Sequence, residues 1–85
     1  MKILSKRTVI LCGNEDERNA ILTSLEDKGV GRVGKNHAFV NAPHIDYHVE
    51  QNEYQTISKD SFVFTKISEK GSKGKIDLIN AIDIL

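Results

Sequence analysis

Tryptophan is absent, and proline, cysteine and methionine occur once each. A single cysteine, Cys12, excludes an intramolecular disulfide. The apolar run leading into it from Thr8 marks Cys12 as a small buried hydrophobe, because no histidine or other base stands near it in sequence. The aromatics are Phe39, Tyr47, Tyr54, Phe62 and Phe64. They are few and most are needed in a core, which argues against a platform for stacking single-stranded bases. Neither charge prevails: 12 Lys and Arg face 12 Asp and Glu, so the chain is no general polycation. Long hydrophobic runs are missing too. No segment approaches membrane-spanning length, and Lys6-Arg7 interrupts the short apolar start, so it is no signal peptide. The default expectation is a cytoplasmic protein with no membrane partner.

The 85 residues read as one domain, 1–85, with no repeat and no linker. A chain of this size buries only ~60–65% of its unfolded surface, which leaves little room for a core and a deep substrate pocket together. Its charges are separated along the chain. Lys2, Lys6 and Arg7 crowd the start, and Lys28, Arg32 and Lys35 fall in an acid-free stretch from 28 to 45. Lys66, Lys70, Lys73 and Lys75 surround a single Glu69. The acids gather elsewhere, at Glu15, Asp16 and Glu17, at Glu26 and Asp27, and at Asp46, Glu50 and Glu53. A surface divided in this way can hold a polyanion despite a neutral total.

Hydrophobic patterning predicts an α+β fold in the order β-α-β-β-β-α, a small antiparallel sheet with two helices packed on one face. The apolar run at 8–12 reads as a buried strand. Asn14 then offers an N-cap, with Glu17 at the capping-box position and Glu15, Asp16 and Glu17 at the positive end of the helix dipole. That helix runs to about Lys28 on an apolar stripe of Ile21, Leu22 and Leu25, and Gly29 is its natural C′ residue. Ala38, Val40 and Ala42 alternate as a second strand. Ile45, Tyr47 and Val49 alternate against His44, Asp46, His48 and Glu50 as a third. Gln51-Asn52 opens a polar loop. A fourth strand is expected at 62–67, a Gly- and Lys-rich turn at 69–75, and a final helix carrying Leu78, Ile79, Ile82 and Leu85 at helical spacing.

Several patterns invite chemistry. Residues 29–35 spell G-x-G-x-x-G-K. A dinucleotide-binding loop follows a strand and opens a helix, whereas this one follows a helix, so the phosphate-cradle reading fails on context. His44, Asp46, His48 and Glu50 share one face of a strand, but residues four apart on a strand lie ~13 Å apart, beyond one ion's reach. That face reads as solvated and polar, with no metal. No nucleophile elbow or Cys–His pair accompanies the serines and histidines, so no catalytic residues and no cofactor are assigned and no enzyme is expected. Lys70, Lys73 and Lys75 precede the last helix, where lysines oppose the helix dipole. Two readings stay open there, a phosphate site and a soluble polar turn.

The order α-β-β-β-α over 14–85, with Ala42-Pro43-His44 between two expected strands and Lys70, Lys73 and Lys75 opening the last helix, resembles the double-stranded-RNA-binding domain. The resemblance implies a non-enzymatic module that contacts the backbone of structured RNA through basic loops. His44 would reach a sugar or base edge. Lys70, Lys73 and Lys75 would neutralise phosphates, with Lys28, Arg32 and Lys35 as a second backbone contact. In size and style the chain also resembles small phage early proteins that inhibit host ribonuclease toxins, which implies the alternative, a protein-binding inhibitor or adaptor. A free sheet edge would further allow pairing with a second copy of the chain.

Overall fold

The computed structural model describes residues 4–33, 42–58 and 76–85. Strand β1 (Thr8–Leu11) leads into helix α1 (Glu15–Asp27), followed by a short strand β2 (Gly31–Arg32). Strands β3 (His44–His48) and β4 (Glu53–Ile57) form a hairpin, and β5 (Asp77–Asn80) runs into a 3-10 helix at Ala81–Asp83. The sheet order is β2-β4-β3-β1-β5. The central pairs β1–β3 and β3–β4 are antiparallel, while β2–β4 and β1–β5 are parallel. The class is therefore α+β, with a mixed sheet in place of the antiparallel one expected.

Helix α1 begins and ends as its residues dictate. The Asn14 side-chain oxygen accepts the Glu17 N–H at 2.9 Å, and the Glu17 carboxylate reaches back to accept the Gly13 N–H at 3.0 Å. This is a capping box displaced by one residue at its return bond. At the other end Gly29 has φ +77°, the Gly29 N–H donates to the Glu26 carbonyl at 3.0 Å, and the Val30 N–H donates to the Leu25 carbonyl at 3.0 Å. Those two bonds form a Schellman motif. The first glycine of the G-x-G pattern is thus a helix stop, which accounts for its presence without any phosphate.

The period-2 reading of 44–49 holds. Ile45 and Tyr47 face α1 and join Ile10, Ile21, Leu25, Tyr54, Ala81 and Ile84 in the main core, with Val49 packed against it. Tyr47 lies opposite Tyr54 across the hairpin. The polar loop expected after Asn52 is overturned by β4. Asn52 takes φ +55°, its N–H donates to the Val49 carbonyl at 3.1 Å, and the chain turns straight back. Tyr54, Thr56 and Ile57 are aromatic or β-branched, which suits a strand between polar neighbours.

The final helix is corrected as well. Residues Asp77–Asn80 are a strand in parallel register with β1, Leu78 opposite Val9 and Ile79 opposite Ile10. Ile79 packs on the main core, while Leu78 stands on the opposite face. Four residues are too few to separate a helical period from an alternating one, and pairing with β1 decides the outcome. One α-helix, not two, is present among the described residues. The strands expected at 38–42, apart from Ala42, and at 62–67, and the turn at 69–75, lie outside the described residues.

Candidate functional site

The face of His44, Asp46, His48 and Glu50 was expected to be solvated, and its first two residues are not. His44 is 7% exposed and Asp46 is fully buried. The carboxylate of Asp46 collects donors from three strands or their flanks. Arg7, just before β1, donates from Nε to Oδ1 at 3.0 Å and from Nη2 to Oδ2 at 2.7 Å. Gln55 of β4 donates from Nε2 to Oδ2 at 3.1 Å. His48 Nε2 lies 3.0 Å from Oδ2. An ionised carboxylate only accepts, so Nε2 is the protonated nitrogen of His48 in this contact.

Burial pushes the Asp46 carboxyl up, but hydrogen bonds from Arg7 and Gln55 and the charges of Arg7 and His48 outweigh it. The net result is a pKa held below the ordinary 3.8. An Asp–His pair can in principle hold a general base, yet here the carboxylate is saturated by a forked arginine and an amide. Fork-to-fork pairing fixes geometry tightly, which suits a rivet between β1, β3 and β4. Among the described residues, no group of three or more His, Cys, Asp or Glu side chains is placed to hold a metal ion.

His44 is a second rivet. Its Nδ1 accepts the backbone N–H of Cys12 at 3.1 Å, which satisfies a donor just beyond the end of β1. Cys12 itself is buried, as expected, and its thiol is pushed up to about 11, first by burial and then by the nearby Glu17 charge. A thiol in that state is a poor nucleophile. Beside it, a cavity of about 370 Å³ is lined by Cys12, Gly13, Asn14, Glu15, Arg18 and Pro43. Arg18 donates from Nη1 to the Ala42 carbonyl at 3.3 Å, while its buried Nε has no hydrogen-bond partner among the described residues.

The expected RNA contacts are distributed as follows. Lys28 is exposed at the C-terminus of α1, and Arg32 is half-buried in β2, opposite Tyr54. Asp27 beside Lys28 and Glu53 at the start of β4 are exposed acids near them in the fold's connections. His44 pairs with Ile57 at the far end of β4 from Arg32. Lys35, Lys70, Lys73 and Lys75 lie outside the described residues. Of the N-terminal cations, Lys6 pairs with Asp77 at 3.3 Å and Arg7 with Asp46. Arg7 was missed as a partner of Asp46 because 39 residues separate them. A buried acid on an alternating strand does imply a cation somewhere, but not which one.

Four large apolar side chains are exposed among the described residues: Val33 just past β2, at 44%, and Leu78, Ile82 and Leu85 in and after β5, at 49%, 70% and 54%. No helix among the described residues is long and apolar enough to cross a membrane. Comparison with protein-family models, with curated proteins and with solved structures gives no significant match to this chain.

Proposed function

We propose that this chain is a non-enzymatic binding module that docks on a protein target, as an inhibitor or adaptor. The observation that carries this reading is the exposure of three large apolar side chains, Leu78, Ile82 and Leu85, within eight residues of so small a domain. The chemistry-bearing residues favour it from the other side. His44 and Asp46 are engaged in holding strands together, and the Cys12 thiol is masked by burial. The resemblance to phage inhibitors suggests a host ribonuclease toxin or another defence enzyme as the target class. The test is affinity capture in high salt after nuclease treatment, with wild type beside an Ile82→Glu/Leu85→Glu variant. A protein held by wild type and lost by the variant supports docking. A partner set that is the same for both, or that disappears with nuclease, overturns it.

The second reading is contact with structured RNA, in a cytoplasmic setting. Lys28 at the end of α1 and Arg32 in the strand that follows favour it, together with Lys35, Lys70, Lys73 and Lys75 in the sequence. The two readings are compatible, since an inhibitor of a ribonuclease can also hold RNA. A gel shift with an RNA hairpin, matched single-stranded RNA and duplex DNA across a salt series tests it. Binding that favours the hairpin and weakens in a Lys73→Ala/Lys75→Ala variant supports the RNA contact. No binding at low salt removes it.

A further inference from the structure

The geometry points to β5 as a strand-addition edge whose occupant is an extended, apolar and basic segment of a partner protein. This rests on the protein-docking reading and specifies its mode. β5 is the terminal strand of the sheet order, and its one neighbour among the described residues is β1. A terminal strand leaves a row of backbone N–H and C=O groups toward its open side. Natural edges are blunted by charged side chains, proline, a bulge or short length; Asp77–Asn80 is four residues long, has no lysine or proline, and carries its one charge at its first position. Leu78 stands exposed on the face away from α1, and Ile82 and Leu85 are exposed in the residues that follow the strand.

Charge selects the occupant. The segment 76–85 carries Asp77 and Asp83 and no Lys or Arg. Both acids are exposed. Lys6 meets Asp77 at 3.3 Å, but both side chains are about half exposed (41% and 53%), and such a surface pair exchanges readily. A second copy of the chain would bring the same acidic edge against itself, which opposes pairing. A strand with apolar residues alternating with lysine or arginine would place apolar side chains against Leu78 and its cations beside Asp77 and Asp83. Backbone hydrogen bonds would supply affinity, and the side chains would set specificity.

The experiment titrates the full ¹⁵N-labelled chain with a capped hexapeptide of alternating Lys and Val, beside a Glu–Val counterpart. Amide shifts should concentrate at Asp77–Asn80, with the basic peptide binding about tenfold tighter than the acidic one. Leu78→Lys should abolish the shifts while leaving the rest of the spectrum unchanged, and Ile82→Lys, at a still more exposed position, should weaken them. The proposal is overturned by shifts elsewhere, by equal response to both peptides, or by no response up to about 1 mM peptide. It is equally overturned if β5 signals broaden with protein concentration alone, which would make a second copy the occupant. Capture of a target that survives Leu78→Lys would preserve the docking function while removing this mode. Peptide binding at β5 without any captured target would do the reverse.

Discussion

Arg7 grips Asp46 with a fork, Nε to Oδ1 at 3.0 Å and Nη2 to Oδ2 at 2.7 Å, and the carboxylate it holds is fully buried. The pair ties the residue before β1 to the middle of β3, while Gln55 ties β4 to the same oxygen that Nη2 meets. Removing one partner of a buried pair strands the other. Asp46→Ala should destabilise the fold by about 3 kcal/mol, the low end of the range for such losses because Arg7 stays 28% exposed. A loss of unfolding free energy in urea of less than a quarter of that would show the pair to be ornamental.

The same pair makes stability depend on pH in a defined direction. The folded Asp46 carboxyl titrates below its ordinary 3.8, so between the two values the unfolded chain binds more protons. The stabilisation is fully present above the unfolded pKa and is lost as pH falls through the folded one. Urea unfolding followed from neutral pH down to about pH 3 should show a falling midpoint in wild type. Asp46→Asn starts lower and should fall less steeply. Parallel pH profiles for the two proteins would show that Asp46 contributes no linkage.

Gly29 isolates a backbone effect from packing. Its φ is +77°, and a Cβ there would meet nothing within 4 Å. Gly29→Ala should therefore cost about 1 kcal/mol through left-handed strain alone. Gly29→Asn should cost less, because asparagine tolerates that region. Thermal midpoints of the two variants provide the comparison, and equal losses would mean that space, not φ, governs the position.

The Cys12 thiol, raised to about 11 and 7% exposed, should resist alkylation near pH 8 in the folded chain. Labelling by iodoacetamide should become fast only in denaturant. Rapid labelling of the native protein would place the thiol at the surface, against the core position found here.

What could be read from the chain divides by range. The cap at Asn14, the stop at Gly29 and the alternation of side chains along 44–49 depend on neighbours in sequence, and all three stand. The strand at Asp77–Asn80 depends on β1, which is far away in the chain. Its Leu78-Ile79-x-x-Ile82 spacing fits a helix as well as a strand followed by a turn. β4 is hard to see in the sequence because Gln51-Asn52 reads equally as a loop and as the tight turn it forms. The face of His44 and Asp46 was assigned to solvent because the cation that allows its burial, Arg7, lies at the other end of the sequence. Local rules reach the elements, and long-range pairing sets what those elements become.

His44 is where structural and functional expectations part most clearly. As an RNA-reading residue it would project from a surface, and its loss would weaken binding while leaving stability alone. In the fold it is 7% exposed, and its Nδ1 accepts the Cys12 N–H at 3.1 Å. His44→Ala orphans a buried backbone donor and opens a gap, which should cost about 1–3 kcal/mol. His44→Gln, whose side-chain oxygen can accept the same N–H, should recover part of that loss. Urea unfolding measures both variants. Gel shifts corrected for the folded fraction should then show no further deficit for either. A deficit that remains in fully folded His44→Gln protein would return the histidine to a binding surface and reopen the duplex-RNA reading at this position.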